Sequence, residues 1–331
     1  MRRREFITLL GGVAVQWPLA ATAQQPKRMR RIGVLSTVSP AIPWGKAAID
    51  ALMQGLSVLG WKEGDNLQID WRFWGGIDSA SMGRDAAQLV TLGPDVLLAV
   101  GNISVEALLR ETKTIPIVFT LVSDPVGMGY VESLAHPGGN VTGFSSYDPS
   151  IDTKRLQMLT EIAPPAANVA VLYNPKTAPY AGLMVRSVRD AAKSLAVTVR
   201  DAPCHNEGEI EAMMAGLARD GRGGLVVLGD AFNTAHRQAI VALAARYRVL
   251  AVYGDRSFIP IGGLMSYDTD VPDLFRRAPG YVDRILKGAK PSDLPVQLPV
   301  KFWMAINLKT AKMLGVTVAP FLVNNADDVV E

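Results

Sequence analysis

The sequence predicts an α/β protein with two Rossmann-like lobes, each built on a parallel sheet and joined by a hinge. Short apolar runs such as residues 31–37 and 169–173 alternate with segments whose apolar residues recur at helical spacing. Parallel strands need crossover connections, so this alternation indicates βα units. A length of 331 residues corresponds to about two domains of roughly 100–200 residues each. The Pro- and Gly-rich stretch 121–143 separates two series of units, which favours two lobes.

The first series contains four strands that alternate with helices. The predicted strands are 31–37, 68–74, 95–100 and 116–122, and the predicted helices are 48–59, 82–90 and 105–113. Gly60 and the pair Gly93 and Pro94 mark the ends of the first two helices, because neither residue type favours helix continuation. A loop-rich connector then leads to a helix that begins near Asp152.

The second series repeats this rhythm and ends in a longer tail. Its predicted strands are 169–173, 197–199, 224–230, 249–253 and 263–267, and its predicted helices are 183–195, 210–217 and 235–246. In the tail, Pro279 should kink the helix predicted at 275–286 or delay its start. Residues 294–306 are expected to be extended, and 308–314 to form a short helix. This tail is long enough to cross back to the first lobe and return.

We expect the chain to pass between the lobes at three places. The predicted first lobe comprises residues 26–141 and 265–292, and the predicted second lobe comprises 142–264 and 293–331. The hinge is expected near residues 142–143, near 263–264 and between 291 and 295. On its way to the first of these crossings, the connector would touch a ligand cleft at Ser123 and Asp124.

Residues 1–25 have the organisation of an export signal. A basic start is followed by a mostly apolar stretch, 7–21, and by an A-x-A cleavage pattern at 21–23. Two glycines and a proline interrupt the apolar stretch, which falls short of the roughly 20 residues that a membrane span needs. Arg3 and Arg4, followed after one residue by phenylalanine, favour the twin-arginine route, although the general secretion route stays open. We expect a soluble periplasmic protein after cleavage.

The composition excludes several classes of function. The net charge is +3, and loss of the export signal, which carries three arginines and one glutamate, lowers it to +1. That leaves no basic patch of the kind that binds nucleic acid. Cys204 is the only cysteine, and the three histidines lack the spacing of metal ligands. Phosphate-binding loops, serine nucleophile elbows and zinc-protease motifs are absent from the sequence. We therefore expect no metal, no cofactor and no enzyme activity.

Polar residues that follow the predicted strands are the candidate ligand-binding residues, because ligands of parallel sheets bind where strands end and helix N-termini present free N–H groups. They are Ser36, Thr37, Asn102, Ser104, Ser123 and Asp124 in the first series, and Tyr173, Asn174, Asp230, Tyr253, Ser266 and Tyr267 later in the chain. Such a set could bind a zwitterion, with hydroxyls and helix N-termini on the carboxylate and Asp124 or Asp230 on the ammonium. Tyr173, Tyr253 or Trp44 could pack on the side chain of the ligand. Each residue alone could equally be a helix cap or a turn residue.

Five segments, in order along the chain, carry a family resemblance. They are residues 115–119, 122–127, 133–143, 281–291 and 306–315. In these segments the chain resembles the ABC-transporter substrate-binding proteins of the tryptophan or aromatic amino-acid type, a bacterial family with the type I periplasmic-binding-protein fold. The resemblance covers essentially the whole mature chain. Asp268 and Pro279 stand where it leads us to expect small residues.

The resemblance implies a solute-binding component of an ABC importer. Such a protein would capture an amino acid or a related compound in a cleft between its lobes and deliver it to an ABC permease in the inner membrane. We expect it to act as a monomer, without a nucleic-acid partner. Two other hypotheses use the same cleft: an exported enzyme, which needs a catalytic constellation that the sequence does not show, and a sensory module, which differs only in its partner.

Overall fold

The computed structural model describes residues 29–74, 79–162, 168–219 and 223–331, and these residues form two α/β lobes. The predicted fold class is confirmed. The predicted export signal at 1–25 lies outside the described residues. Within the described ranges, no helix has both the length and the apolar character needed to cross a membrane.

The first lobe is a five-stranded, wholly parallel sheet with the strand order β2-β1-β3-β4-β5. Its strands are β1 (Arg30–Ser36), β2 (Leu67–Phe73), β3 (Val96–Val100), β4 (Ile117–Val122) and β5 (Val141–Ser145). Helices α1 (Pro43–Val58), α2 (Ser79–Thr91) and α3 (Asn102–Glu111) follow the first three strands. The helices cover both faces, so central strands such as β3 are buried along their whole length and consist of apolar residues.

The second lobe has seven strands in the order β12-β11-β10-β9-β8-β6-β7, and only the β10–β11 pair is antiparallel among them. Its strands are β6 (Asn168–Tyr173), β7 (Thr198–Pro203), β8 (Gly223–Val227), β9 (Leu250–Tyr253), β10 (Met265–Thr269), β11 (Phe302–Asn307) and β12 (Asp328–Val330). Its helices are α4 (Pro149–Ile162), α5 (Ala181–Leu195), α6 (Glu207–Arg219), α7 (Ala231–Ala235), α8 (Arg237–Tyr247), α10 (Leu308–Leu314) and α11 (Pro320–Asn324).

The chain passes between the lobes three times, each time a few residues later than predicted. β5 pairs with β4 and therefore belongs to the first sheet, so the first passage lies at 146–148. β10 pairs with β9 in the second sheet, and the next helix, α9 (Val271–Leu286), packs on α1 of the first lobe. The second passage is therefore at residue 270. The third lies at 298–301, before β11.

Gly143 explains why the first crossing was predicted too early. A Cβ atom at this position would lie 2.2 Å from the carbonyl oxygen of Phe119 in β4 and 2.5 Å from its nitrogen. Glycine is therefore required for the close approach of β5 to β4, whereas the sequence suggested a hinge. Residues 294–297 run alongside β5 at the edge of the first sheet. The N–H of Gln297 donates to the carbonyl of Gly143 over 2.9 Å, and the N–H of Ser145 donates to the carbonyl of Gln297 over 2.8 Å.

The tail helix also differs from the prediction in where it begins. α9 starts at Val271, four residues before the predicted start at 275. Pro279 lies inside this helix and is buried against α1, where a Cβ on Gly55 would meet its ring at 2.7 Å. Pro279 therefore does not delay the start of the helix. Its ring fills space between two packed helices of the first lobe.

Candidate functional site

A cavity of about 510 Å³ lies between the two lobes, where the carboxyl ends of both sheets face each other. Thr37, Gly101 and Ser123, which follow β1, β3 and β4, line it from the first lobe. The loops after β6, β8, β9 and β10 line it from the second lobe. Its volume is within the usual range of about 300–1,000 Å³ for small-molecule sites.

Much of the cavity wall is apolar, and several of its aromatic side chains were missed by the sequence analysis. The apolar lining residues with large side chains are Val38, Ile42, Trp44, Trp74, Ile103, Leu121, Tyr147, Ile151, Tyr180, Met184 and Val271. Trp44 was expected to pack on a ligand, whereas Trp74, Tyr147 and Tyr180 were not considered. Trp74 directly follows β2, so its position after a strand could have indicated its place in the wall.

Three of the six candidate residues of the first lobe line the cavity, namely Thr37, Asn102 and Ser123. Asn102 joins the loops after β3 and β4: its Nδ2 donates to the carbonyl of Ser123 over 2.8 Å, and its Oδ1 accepts from the N–H of Ser123 over 3.0 Å. The Thr37 hydroxyl donates to the carbonyl of Val100 over 3.1 Å. These bonds fix the neutral polar part of the wall.

The other three candidates of the first lobe are bound within their own loops or helices and do not line the cavity. The hydroxyls of Ser36 and Ser104 donate to the carbonyls of Val38 and Val100 respectively. Asp124 has a positive φ of 49° and caps a turn through its Oδ1, which accepts from the N–H of Gly127 over 2.9 Å. Ser36 and Asp124 therefore act as turn residues, as the alternative held, whereas Ser104 bonds back to the end of β3.

Asp230 is the candidate of the second lobe that lines the cavity, and its carboxylate is already fully used. Oδ1 accepts from the N–H of Asn233 and the hydroxyl of Thr177, and Oδ2 accepts from the N–H of Asn174 and Nδ2 of Asn233. A carboxylate has about four acceptor sites, so none remains for a ligand ammonium. Burial raises the pKa of Asp230, and these hydrogen bonds oppose that shift. Asp230 thus ties the loop after β6 to the start of α7.

The remaining candidates of the second lobe lie beside the cavity without lining it. The backbone and side chain of Asn174 form the turn after β6, and Tyr253 is buried and stacks on Phe258 with ring centroids 4.5 Å apart. Tyr267 stacks on Phe302, and Ser266 is fully buried. Tyr173 packs at the edge of the core of the second lobe. These side chains therefore stabilise the second lobe next to the cavity, and none of them lines the cavity.

A buried ion pair on α4 was also missed. Arg155 lines the cavity although its side chain is only 6% exposed, and its Nη1 donates to Oδ1 of Asp152 over 3.1 Å. Its Nε donates to the carbonyl of Tyr267 over 2.8 Å, and the Tyr147 hydroxyl donates to Oδ2 of Asp152 over 2.7 Å. Burial raises the pKa of Asp152, whereas Arg155 and Tyr147 act to lower it. An aspartate and an arginine at i,i+3 on the apolar face of a helix were the available signal.

Asp268, another residue of the wall, has an unusual environment for a carboxylate. Its Oδ2 accepts from the N–H of Arg256 over 2.8 Å, whereas its Oδ1 is buried without a hydrogen-bond partner. Burial raises the pKa of Asp268 to about 7, against the opposing effect of the Arg256 charge. This side chain is therefore partly protonated near neutral pH.

Similarity to known proteins covers nearly the whole chain. Residues 31–330 match the family model described as ABC transporter substrate binding protein. A tyrosine-binding protein of Clostridioides difficile (strain R20291) is 28% identical over 292 residues, which are 87% of this chain and 81% of that protein.

Two solved structures have the same fold with a TM-score of 0.81, and the comparison covers 91% of this chain and all of each of theirs. One is a conserved domain protein from Vibrio cholerae, 28% identical to this chain. The other is an ABC domain from Streptococcus pneumonia in complex with L-Trp, 25% identical. The type I periplasmic binding fold implied by the resemblance is confirmed. Because the family model spans residues 31–330, the chain belongs to the family of ABC transporter substrate binding proteins.

Proposed function

We propose that this protein is the extracytoplasmic solute-binding component of an ABC importer and that its cargo is an amino acid with an apolar side chain. The observation that carries the proposal is a cavity whose walls come from both lobes and combine aromatic side chains with a few charged groups. Mostly apolar sites with a small number of fixed polar groups are typical of small-molecule binding. The ligands named for two relatives, tyrosine and L-Trp, support this cargo class.

The position of the cavity also supports capture by closure of the lobes. The first two chain passages between the lobes lie beside the cavity, and the Thr269 hydroxyl, in the wall, donates to the carbonyl of Ser146 over 2.7 Å. A ligand stabilises a closed form only to the extent that it contacts both lobes, and here both lobes line the same space. Thr37, Asn102 and Ser123 would then supply the neutral polar contacts.

The remaining parts of the proposal concern export and partners. The protein would be exported through its N-terminal signal, by the twin-arginine route, and would act as a soluble periplasmic monomer that delivers cargo to an inner-membrane permease. No catalytic role is proposed, and the match to the family of ABC transporter substrate binding proteins and the similarity to a tyrosine-binding protein support that choice. Replacement of Arg3 and Arg4 by lysine should block export by the twin-arginine route, and fractionation of cells would detect the precursor in the cytoplasm.

The direct test is calorimetric titration of the purified chain with the twenty common amino acids, followed by a sugar and a polyamine panel. We expect saturable binding of aromatic or branched amino acids and none of sugars. A thermal-shift screen gives the same ranking, because a ligand at 100 times its dissociation constant stabilises the folded state by about 2.7 kcal/mol. Binding of sugars or polyamines alone would contradict the proposed cargo class.

A further inference from the structure

We propose that Arg155 binds the carboxylate of the captured ligand, so that the cargo must be a carboxylic acid with an apolar body. The inference rests on the proposed function, because it assumes that the interlobe cavity is the capture site. It deepens that proposal by naming the chemical group that the ligand must carry and the side chain that binds this group. None of the candidate residues from the sequence has this role.

The hydrogen bonds of Arg155 leave one side of its guanidinium unused. Nε and Nη1 donate to the carbonyl of Tyr267 and to Asp152, whereas Nη2 has no hydrogen-bond partner among the described residues. A guanidinium carries five N–H donors in a planar fork that matches a carboxylate. A charged group that is 6% exposed with unused donors is costly unless an acceptor reaches it. A ligand carboxylate in the cavity is such an acceptor.

Gly254 allows this side of the guanidinium to lie at the cavity. A Cβ atom at Gly254 would be 2.7 Å from the backbone nitrogen of Gly229, 3.0 Å from Nη2 and 3.1 Å from Cζ of Arg155, so glycine here serves both the approach of two loops and the position of the guanidinium. Gly254 and Arg155 both line the cavity, so a side chain at position 254 would occupy the space next to Nη2. Because residue 254 has no side chain, it does not cover Nη2 of Arg155.

The orientation of Arg155 is set before any ligand binds. Asp152 is fully buried, and its two oxygens are held by Arg155 and by the Tyr147 hydroxyl. The Tyr267 carbonyl fixes the guanidinium from a second element, β10. Because the side chain is already ordered, binding a carboxylate costs little additional conformational entropy, which favours affinity.

The acidic residues of the same wall do not compete strongly for Arg155. The Asp230 carboxylate is saturated by four donors from its own lobe. Asp255 accepts from the N–H of Ser257 and from the Thr234 hydroxyl. The pKa of Asp268 is raised to about 7 by burial, so near neutral pH it repels a carboxylate less than an ordinary aspartate would.

Two other arginines line the cavity and provide matched controls. Arg237 donates through Nη1 to the carbonyl of Thr234, and it is less buried than Arg155. The Arg256 guanidinium stacks on Trp303, with Cζ 4.9 Å from the ring centroid, and its Nη2 is buried without a hydrogen-bond partner among the described residues. Arg256 is therefore the competing candidate, because it too has an unused donor, and Arg237 is the more exposed control.

The experiment compares matched ligand series on the unmodified full chain by calorimetry. One series is L-tryptophan, tryptamine, which lacks the carboxylate, and indole-3-propionate, which lacks the ammonium. The others are the equivalent compounds of L-tyrosine and L-leucine. We expect loss of the carboxylate to weaken binding about 10- to 100-fold, the range for a hydrogen bond to a charged group. Amines that bind as tightly as their parent amino acids would overturn the proposal without involving any variant.

Variants then identify the side chain that is responsible for the preference for ligands with a carboxylate. In Arg155→Lys the positive charge stays but the fork is lost, so the preference for acid over amine should fall at least tenfold, whereas Arg237→Gln and Arg256→Gln should keep it. If Arg155→Lys does not fold, the double variant with Asp152→Asn and Arg155→Gln removes both charges together and tests the same ratio. Retention of the preference in the Arg155 variants, with its loss in either control, would assign the carboxylate to another arginine.

The outcomes separate this inference from the proposed function. If indole-3-propionate and its counterparts bind while amino acids do not, the amino-acid cargo is wrong and the role of Arg155 is supported. If amino acids bind and the amines bind equally well, the solute-binding role stands and the role of Arg155 is wrong.

Discussion

The two walls of the cavity differ in charge. The wall from the first lobe consists of apolar side chains and neutral polar groups such as Thr37 and Asn102. All charged side chains among the described lining residues come from the second lobe: Arg155, Asp230, Arg237, Asp255, Arg256 and Asp268. This difference suggests a division of roles, in which the second lobe recognises the charged end of a ligand and the first lobe covers its apolar body.

The difference has a physical basis in how each wall is stabilised without ligand. The charges of the second wall are held largely within their own lobe, as the bonds of Asp230 and the Asp152–Arg155 pair show. The first wall instead presents half-buried aromatic surface, including Trp44 and Trp74. Closing this surface over an apolar ligand removes it from water, which stabilises the closed form by about 25 cal/mol per Å² buried.

The largest expected effect concerns the buried charge pair behind the second wall. Asp152→Ala leaves the Arg155 guanidinium buried without its counter-ion and removes the acceptor of the Tyr147 hydroxyl. Breaking a buried pair from one side costs about 3–5 kcal/mol. We therefore expect urea denaturation, followed by circular dichroism, to show a loss of unfolding free energy of this size.

The matched control for this prediction is Asp190→Ala. Asp190 also pairs with a basic residue at i,i+3, Lys193, at 2.7 Å, but both side chains are more than two-thirds exposed. Exposed pairs are worth about 0–1 kcal/mol, so this variant should unfold almost like the unmodified protein. Equal losses in the two variants would contradict the view that the second wall depends on buried charge.

A smaller effect is expected from the first wall and should appear in affinity. Trp44→Ala removes aromatic surface from the cavity and should weaken binding of an aromatic amino acid by roughly 10- to 100-fold, corresponding to about 1.5–3 kcal/mol of apolar burial. Trp71→Ala is the control, because Trp71 packs on the core of the same lobe and stacks on Phe73 without lining the cavity. Calorimetry that finds affinity unchanged by Trp44→Ala would show that the first wall does not cover the ligand.

Features that depend on sequence order could be predicted from the sequence, whereas features that depend on the conformation of loops could not. Strands and helices of the parallel sheets are marked by periodicity and by apolar runs, as in β3 and α10, where predicted and observed bounds agree within one residue. Thr37, Asn102, Ser123 and Asp230 were found because a position after a strand is a property of sequence order. Whether such a residue faces the cavity depends on the loop conformation, which sequence order does not specify.

The missed residues depend on contacts between distant segments. Arg155 lies on a helix, and its exposure to the cavity depends on Tyr267, which is 112 positions away in the chain. Gly143 was interpreted as a hinge because flexibility and close packing both select glycine, and only the distance to Phe119 distinguishes them. Pro279 is similar, because its tolerance within α9 depends on the space beside Gly55.

The smallest expected effect is the pH dependence caused by Asp268. Its pKa is raised to about 7 in the folded protein, mainly by burial, with Asp255 adding to the shift and the Arg256 and Arg155 charges opposing it. An unfolded aspartate has a pKa of about 3.9. Between these values the folded state holds a proton that the unfolded state has lost, so stability contributed by this group falls as the pH rises from about 4 to about 7.

Asp268→Asn removes this titration while it retains an oxygen that can accept from the Arg256 N–H. We expect the variant and the unmodified protein to have similar stability at pH 4, and the variant to be more stable by about 1–2 kcal/mol at pH 5, where the unfolded aspartate has lost a proton that the folded state still holds. Urea denaturation at both pH values measures the difference, and Asp255→Asn on the same wall is the control. A gap between Asp268→Asn and the unmodified protein that does not grow with pH would mean that Asp268 is ionised throughout. The second wall would then carry a full negative charge opposite the apolar first wall, which would favour a ligand with a cationic group.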